Sequence, residues 1–328
     1  MRKLLIIALL PLLVGAAPTG YHVTGEIKIG GEGGWDYLTA DSAGRRLYVS
    51  HASHVVVVDL DTNQVVGDIP DTPGVHGIAI AAELNRGFVS NGRGNNVTIF
   101  DLKTLKVIST VATGENPDAI RYDPKSGRVF AFNGRSRSAS VIDAKTGTVA
   151  ATIPLPGKPE FSAADGTGRV YANIEDTNEI VEIDAAKATV TKKYALTGCD
   201  GPSGLAMDAK NRRLFSVCGN RVMAVSDPDA GKVIATPAIG AGSDGAAFDP
   251  GTGYAFSSNG DGTLTIVQQT GGKWDVLENI ATQRGARTIA VDEKTHKVYL
   301  PTATAGQAAA GGRAPFLPDS FKVLVVGK

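Results

Sequence analysis

Short apolar runs alternate with polar, glycine-rich breaks along the chain, and the alternation recurs. A strand-like run opens on a basic residue at Arg46-Leu47-Tyr48-Val49, Arg86-Gly87-Phe88-Val89, Arg128-Val129-Phe130-Ala131, Arg169-Val170-Tyr171-Ala172 and Arg213-Leu214-Phe215-Ser216. It returns in weaker form at Gly253-Tyr254-Ala255-Phe256 and Lys297-Val298-Tyr299-Leu300. Successive starts are 40, 42, 41, 44, 40 and 44 residues apart. Short β-branched and aromatic runs with no 3.6-residue apolar period predict strands rather than helices. Self-similarity at this period predicts an all-β, seven-bladed β-propeller with one four-stranded blade per repeat.

Residues 114–156 give the blade in full. Ala119-Ile120-Arg121-Tyr122 is the inner strand, and Asp123-Pro124-Lys125-Ser126-Gly127 is a turn, with Pro fixing φ and Gly free to take positive φ. Arg128 to Phe132 is the second strand, Ala139-Ser140-Val141-Ile142-Asp143 the third and Thr148 to Ile153 the outer one. The Asp that ends the third strand recurs at Asp59, Asp101, Asp184 and Asp227, where its side chain is expected to cap the following turn. Small residues recur in the inner strands, as in Gly77-Ile78-Ala79-Ile80 and Gly204-Leu205-Ala206-Met207, because seven strands crowd around one channel. The last repeat is one strand short, while His22 to Ile29 is a strand with no blade of its own. That N-terminal strand is therefore predicted to complete the last blade and close the ring, leaving no large gap between first and last blades.

Arg2 and Lys3, the apolar run Leu4 to Val14 and the small residues Val14-Gly15-Ala16 read as a secretory signal over residues 1–16. Residues 17–328 then form a single propeller domain, periplasmic or secreted, with no membrane span after cleavage. The chain carries 33 basic and 33 acidic residues, a balance that argues against a dominant nucleic-acid or anionic-membrane footprint. Forty glycines, sixteen prolines and 6% aromatics suit many short strands joined by tight turns.

The run Arg46-Leu47-Tyr48-Val49-Ser50, then Val55-Val56-Val57-Val58-Asp59, then Thr-Gly-type turns resembles the YVTN repeats of YncE-like propellers. The resemblance covers all seven repeats and implies a secreted bacterial seven-bladed protein, in a group mostly without an assigned reaction and in part implicated in DNA or partner binding. The sixth repeat departs from it by ending its third strand on Val267-Gln268-Gln269, and the seventh by a long loop.

In a propeller the residues leading into the inner strands open on one face. Here they are Asp36, His76, Asp118, Glu160, Ser203, Asp244 and Arg287, one per blade, and they are expected to ring the channel mouth as a ligand or partner site. His51 and His54 lie in the neighbouring loops of the first repeat. His51, His54 and His76, with Asp36 and Asp118, could together hold a divalent cation or act as an acid–base set. Against this, polar residues at such positions also serve simply to turn the chain and cap the strand. Residues 302–320 insert a long loop whose Arg313 and Phe316 are candidate lid or partner contacts. His22 and His296 read as surface residues, and Trp35 and Trp274 as core packing.

Cys199 and Cys218 flank one hairpin and predict a disulfide. The sequence has no nucleophile elbow, phosphate loop, dinucleotide fingerprint or haem-attachment motif, so no cofactor is predicted. Three functional readings remain. The first is a non-catalytic binder of a small ligand or an envelope protein. The second is a metal-assisted lyase or hydrolase using His51, His54, His76 and Asp118. The third is single-stranded nucleic-acid binding through Arg93, Arg135 and Arg137, which would be steeply salt-dependent.

Overall fold

The computed structural model describes residues 18–307 and 315–328. The proposed signal over residues 1–16 and the loop residue Arg313 lie outside the described residues. Seven four-stranded antiparallel sheets form the blades of a propeller. The inner strands are Leu38–Asp41, Val75–Ala81, Pro117–Asp123, Pro159–Ala164, Pro202–Asp208, Ser243–Asp249 and Ala290–Asp292. The N-terminal strand His22–Lys28 pairs antiparallel with Lys322–Gly327 and is the outer strand of the seventh blade, so the ring closes as the repeat count requires.

Packing between blades explains the repeat. Each second strand buries at least one aromatic ring completely: Tyr48, Phe88, Phe130 with Phe132, Tyr171, Phe215, Phe256 and Tyr299. The apolar clusters run from blade to blade, as where Tyr48, Val55 and Val57 of the first blade meet Ile78, Val89 and Phe100 of the second. A blade alone would leave this surface wet, at a cost of roughly 25 cal/mol per Å² of apolar area.

The repeated charges are structural. Asp59 Oδ1 accepts from the backbone N–H of Asp61 (3.0 Å) and Thr62 (2.8 Å), and Asp101 Oδ1 from Lys103 (3.0 Å) and Thr104 (2.8 Å). Asp143 repeats the pattern. These hydrogen bonds hold the Asp59, Asp101 and Asp143 carboxyls below their ordinary range. In the first three blades the basic residue that opens the second strand reaches the next blade. Arg46 donates to the Leu102 carbonyl, Arg86 to the carbonyls of Ala144 (2.9 Å) and Lys145 (2.6 Å), and Arg128 to that of Ala185 (3.0 Å). In the fourth and fifth blades it turns back onto its own Asp, pairing Arg169 with Asp184 and Arg213 with Asp227.

Cys199 and Cys218 form the disulfide, with Cα atoms 5.4 Å apart. No helix among the described residues is long and apolar enough to cross a membrane. Both features are compatible with an extracellular or periplasmic location. Trp274 is buried and meets Phe215 edge-on at 5.1 Å.

Candidate functional site at the channel mouth

The lead-in residues are aimed by backbone irregularity. In five blades the first hairpin slips register just past the start of the inner strand, at Val75/Ile78, Pro117/Ile120, Pro159/Ser162, Pro202/Leu205 and Ser243/Gly245. A slip of this kind bends the strand and redirects a side chain, and His76, Asp118, Glu160, Ser203 and Asp244 stand at these places.

Buried polar groups then pin the backbone. Six of the seven lead-in carbonyls accept a hydrogen bond from the preceding blade. Thr288 Oγ1 donates to Asp36 (2.6 Å), the Tyr37 N–H to His76 (3.1 Å) and Ser90 Oγ to Asp118 (2.5 Å). Asn173 Nδ2 donates to Ser203 (2.9 Å), Ser203 Oγ to Asp244 (3.3 Å) and Ser258 Oγ to Arg287 (2.6 Å). Ser90, Asn173 and Ser258 are fully buried, so these bonds meet little competition from water.

The resulting cavity has a volume of about 520 Å³. Asp36, Asp118, Glu160, Ser203, Asp244 and Arg287 line it. His76 borders it through Asp36, its Nδ1 lying 2.5 Å from Asp36 Oδ2 and 3.6 Å from Asp118 Oδ1. Lys158 Nζ binds Glu160 (2.7 Å) and Glu175 (2.5 Å), and Asp244 takes Arg287 and the Ser203 hydroxyl.

The floor comes from two residues absent from the sequence-based set. Tyr37 of the first blade and Phe161 of the fourth reach across the channel, their ring centroids 4.0 Å apart. Below the pair lies a smaller cavity of about 190 Å³, where Arg121 donates from Nε (3.0 Å) and Nη2 (2.6 Å) to the Ser162 carbonyl. The Tyr37 hydroxyl donates to Asp118 Oδ1 at 2.7 Å.

Burial, the Asp118 charge and the Asp244 charge together lift the Asp36 carboxyl above its usual range, against the pull of its bond to His76. Burial and the Asp118 charge likewise lift Glu160, against Lys158. For His76, burial disfavours the imidazolium, but the Asp36 hydrogen bond and the charges of Asp118, Asp36 and Glu160 outweigh it and hold the ring up at about 9.

Several expected members stand elsewhere. His51 is buried against Phe321 (ring centroids 4.6 Å apart), and burial, with the neighbouring His54, pushes it down to about 4. His54 faces Asp68 at 3.7 Å. Neither joins His76, because His51 turns in against Phe321 of the seventh blade and His54 faces Asp68 on the outer strand of the first. The expected four-residue set of His51, His54, His76 and Asp118 is therefore not assembled, and Asp36 stands with His76 and Asp118 in their place. Phe316 packs on Trp35, with ring centroids 4.6 Å apart, at the seam of blades seven and one. The described part of the long loop folds back through an Ala305–Phe316 bridge instead of covering the cavity. His296 is not a bland surface residue, since its Nδ1 lies 2.8 Å from the buried Asp249 carboxylate. Arg137 pairs with Asp176 at 3.0 Å.

No protein-family model matches the chain, and no curated protein matches it significantly. Among solved structures it is similar to a chain of Kuenenia stuttgartiensis hydrazine synthase, with a TM-score of 0.71 and 16% identity, covering 87% of this chain and 95% of that one. At that identity the likeness shows the fold alone. With 1778 solved chains matching, the shape singles out no activity. The chain is a seven-bladed β-propeller.

Proposed function

We propose that the protein is an extracytoplasmic, non-catalytic binding propeller of the YncE-like YVTN-repeat kind, and that its mouth receives a small polar ligand carrying positive charge. The family reading rests on the Arg46-Leu47-Tyr48-Val49-Ser50 and Val55-Val56-Val57-Val58-Asp59 motifs, and the location on the signal-like residues 1–16 and the disulfide. One observation carries the ligand class. Five carboxylates, from Asp36, Asp118, Glu160, Glu175 and Asp244, share the cavity with Lys158, Arg287 and the adjoining His76. Burial and acidic neighbours lift the carboxyls of two of the five, Asp36 and Glu160, above their ordinary range. A bound cation relieves that cost, and the Tyr37–Phe161 floor offers an aromatic face to it.

Calorimetric titration with putrescine at low salt tests this. Binding is expected, with proton release at neutral pH as Glu160 ionises, and with affinity reduced about tenfold or more in Glu160→Gln, equivalent to about 1.4 kcal/mol. Absence of putrescine binding, or binding that ignores Glu160→Gln, would count against a cation-receiving mouth. The nucleic-acid reading is weaker, since Arg137 is already paired. The enzymatic reading keeps only His76 and Asp118 of its original set.

A further inference from the structure

Three donor groups converge on one side of the mouth. Asp36, His76 and Asp118 each offer a ligand atom, and these atoms all lie within 4.8 Å of one another. They come from the first, second and third blades, so their spacing is set by blade packing rather than by one mobile loop. Each is fixed from behind. The Asp36 N–H donates to Ser50 Oγ at 2.8 Å and its carbonyl accepts from Thr288. Asp118 is held at its carbonyl by Ser90 and at Oδ1 by the Tyr37 hydroxyl, which leaves its Oδ2 uncommitted. The His76 ring stands against Gly92, where a Cβ would come within 2.5 Å of Nε2. Glycine at that position leaves room for the Nε2 edge of the ring, with Nδ1 toward the two carboxylates.

We propose that Asp36, His76 and Asp118 form a binding site for a divalent transition-metal ion, whose remaining coordination positions open into the mouth cavity. This deepens the reading of the mouth as a cation receiver and rests on it. Two carboxylates and a neutral imidazole carry the charge that one divalent ion neutralises. The imidazole nitrogen favours Zn²⁺ or Mn²⁺ over the all-oxygen preference of Mg²⁺ and Ca²⁺. Three protein ligands beside an open cavity leave exchangeable positions, as in metal sites that bind a further ligand. Protein ligands stand about 2.0–2.2 Å from Zn²⁺, so the Asp36 carboxylate, now hydrogen-bonded directly to Nδ1, draws back slightly as the ion takes the place of the shared proton. Tyr37 is a positioning residue, because it orients Asp118 without reaching the ion.

The intact chain, stripped with chelator, is titrated by calorimetry with Zn²⁺, Mn²⁺, Mg²⁺ and Ca²⁺ in turn, and bound metal is counted by plasma mass spectrometry after gel filtration. The expected result is one Zn²⁺ per chain, with Mg²⁺ and Ca²⁺ at least tenfold weaker. His76→Gln and Asp118→Asn should each weaken Zn²⁺ at least tenfold, and Tyr37→Phe about tenfold through lost orientation of Asp118. His22→Ala, which alters an exposed histidine far from the mouth, should leave binding unchanged. Melting curves without metal verify that each variant folds. If His76→Gln does not fold, Asp118→Asn carries the test. Failure to retain stoichiometric metal, or retention that survives both substitutions or follows His22, overturns the site. A chain that binds putrescine but no metal ion keeps the broader reading and loses this one, whereas Zn²⁺ binding here without putrescine keeps the metal site and the cation-receiving mouth but removes the organic cation as its ligand.

Discussion

Both ring nitrogens of His51 are buried and lack a hydrogen-bond partner, while the ring stacks on Phe321. A buried polar atom left unpaired costs about 1–3 kcal/mol, so an apolar ring of similar shape should do better there. His51→Phe is expected to raise stability at pH 7 by about 1 kcal/mol, measured by urea unfolding. It should also change the pH profile. In the folded state His51 holds its proton only below about 4, whereas an unfolded histidine takes one up near 6.5. The unfolded chain therefore binds more protons across that window, and the parent loses stability as pH falls through it. The variant should lose less. An unchanged profile, or a large loss at pH 7, would mean that the ring has a partner or a role. Asp36, His76 and Asp118 were legible because a repeat aligns them. His51 was misleading because adjacency in sequence suggested adjacency at the mouth, and the direction of a side chain depends on packing that a repeat alignment does not encode. Tyr37 and Phe161 left a visible trace. They occupy the place where the other blades carry Gly77, Ala119, Gly204, Gly245 and Thr288, and large rings at a position otherwise kept small mark a channel filled from two sides. Gly77 confirms the steric demand, since a Cβ there would lie 2.8 Å from the Tyr37 ring.

Each strand in this fold has neighbours in its own sheet, and the sheets join through apolar packing and a set of polar links. The basic residue at the head of the second strand supplies one of them. Arg86 spans from the second blade to two carbonyls of the third, at the turn that Asp143 caps. Hydrogen bonds to a charged group contribute about 1.5–3 kcal/mol, reduced here because part of the guanidinium is open to water. Arg86→Met keeps the apolar stem and removes both bonds, and should destabilise the protein by about 1–2 kcal/mol in chemical denaturation. An effect within a few tenths of a kcal/mol of zero would show that solvent replaces the link. The strands, the turn-capping Asp and the disulfide hairpin were all readable from residue types at fixed spacing. The inter-blade reach of the arginine was not, because it depends on how one blade rotates against the next.

For the whole molecule, function and stability depend on the same closure. Asp36 in the first blade takes its carbonyl hydrogen bond from Thr288 in the seventh, so the mouth is complete only when the ring is. The N-terminal strand makes that closure. Its Ile27 is buried in a cluster with Leu38, Tyr299 and Val323, Tyr21 donates to the His296 carbonyl at 2.8 Å, and Thr19 donates to Glu278 of the sixth blade. The period and the missing last strand made this architecture legible from the chain alone, because closure is a matter of counting strands. The chemistry of the mouth was less so, since its charge pairing arises only where seven distant segments meet. Thermal unfolding of a chain beginning at residue 31, compared with one beginning at residue 18, tests the closed ring most directly. The account predicts a melting temperature lower by about 10 °C or more for the shorter chain, as expected for loss of several kcal/mol in a domain this large. Equal melting temperatures for the two chains would contradict it.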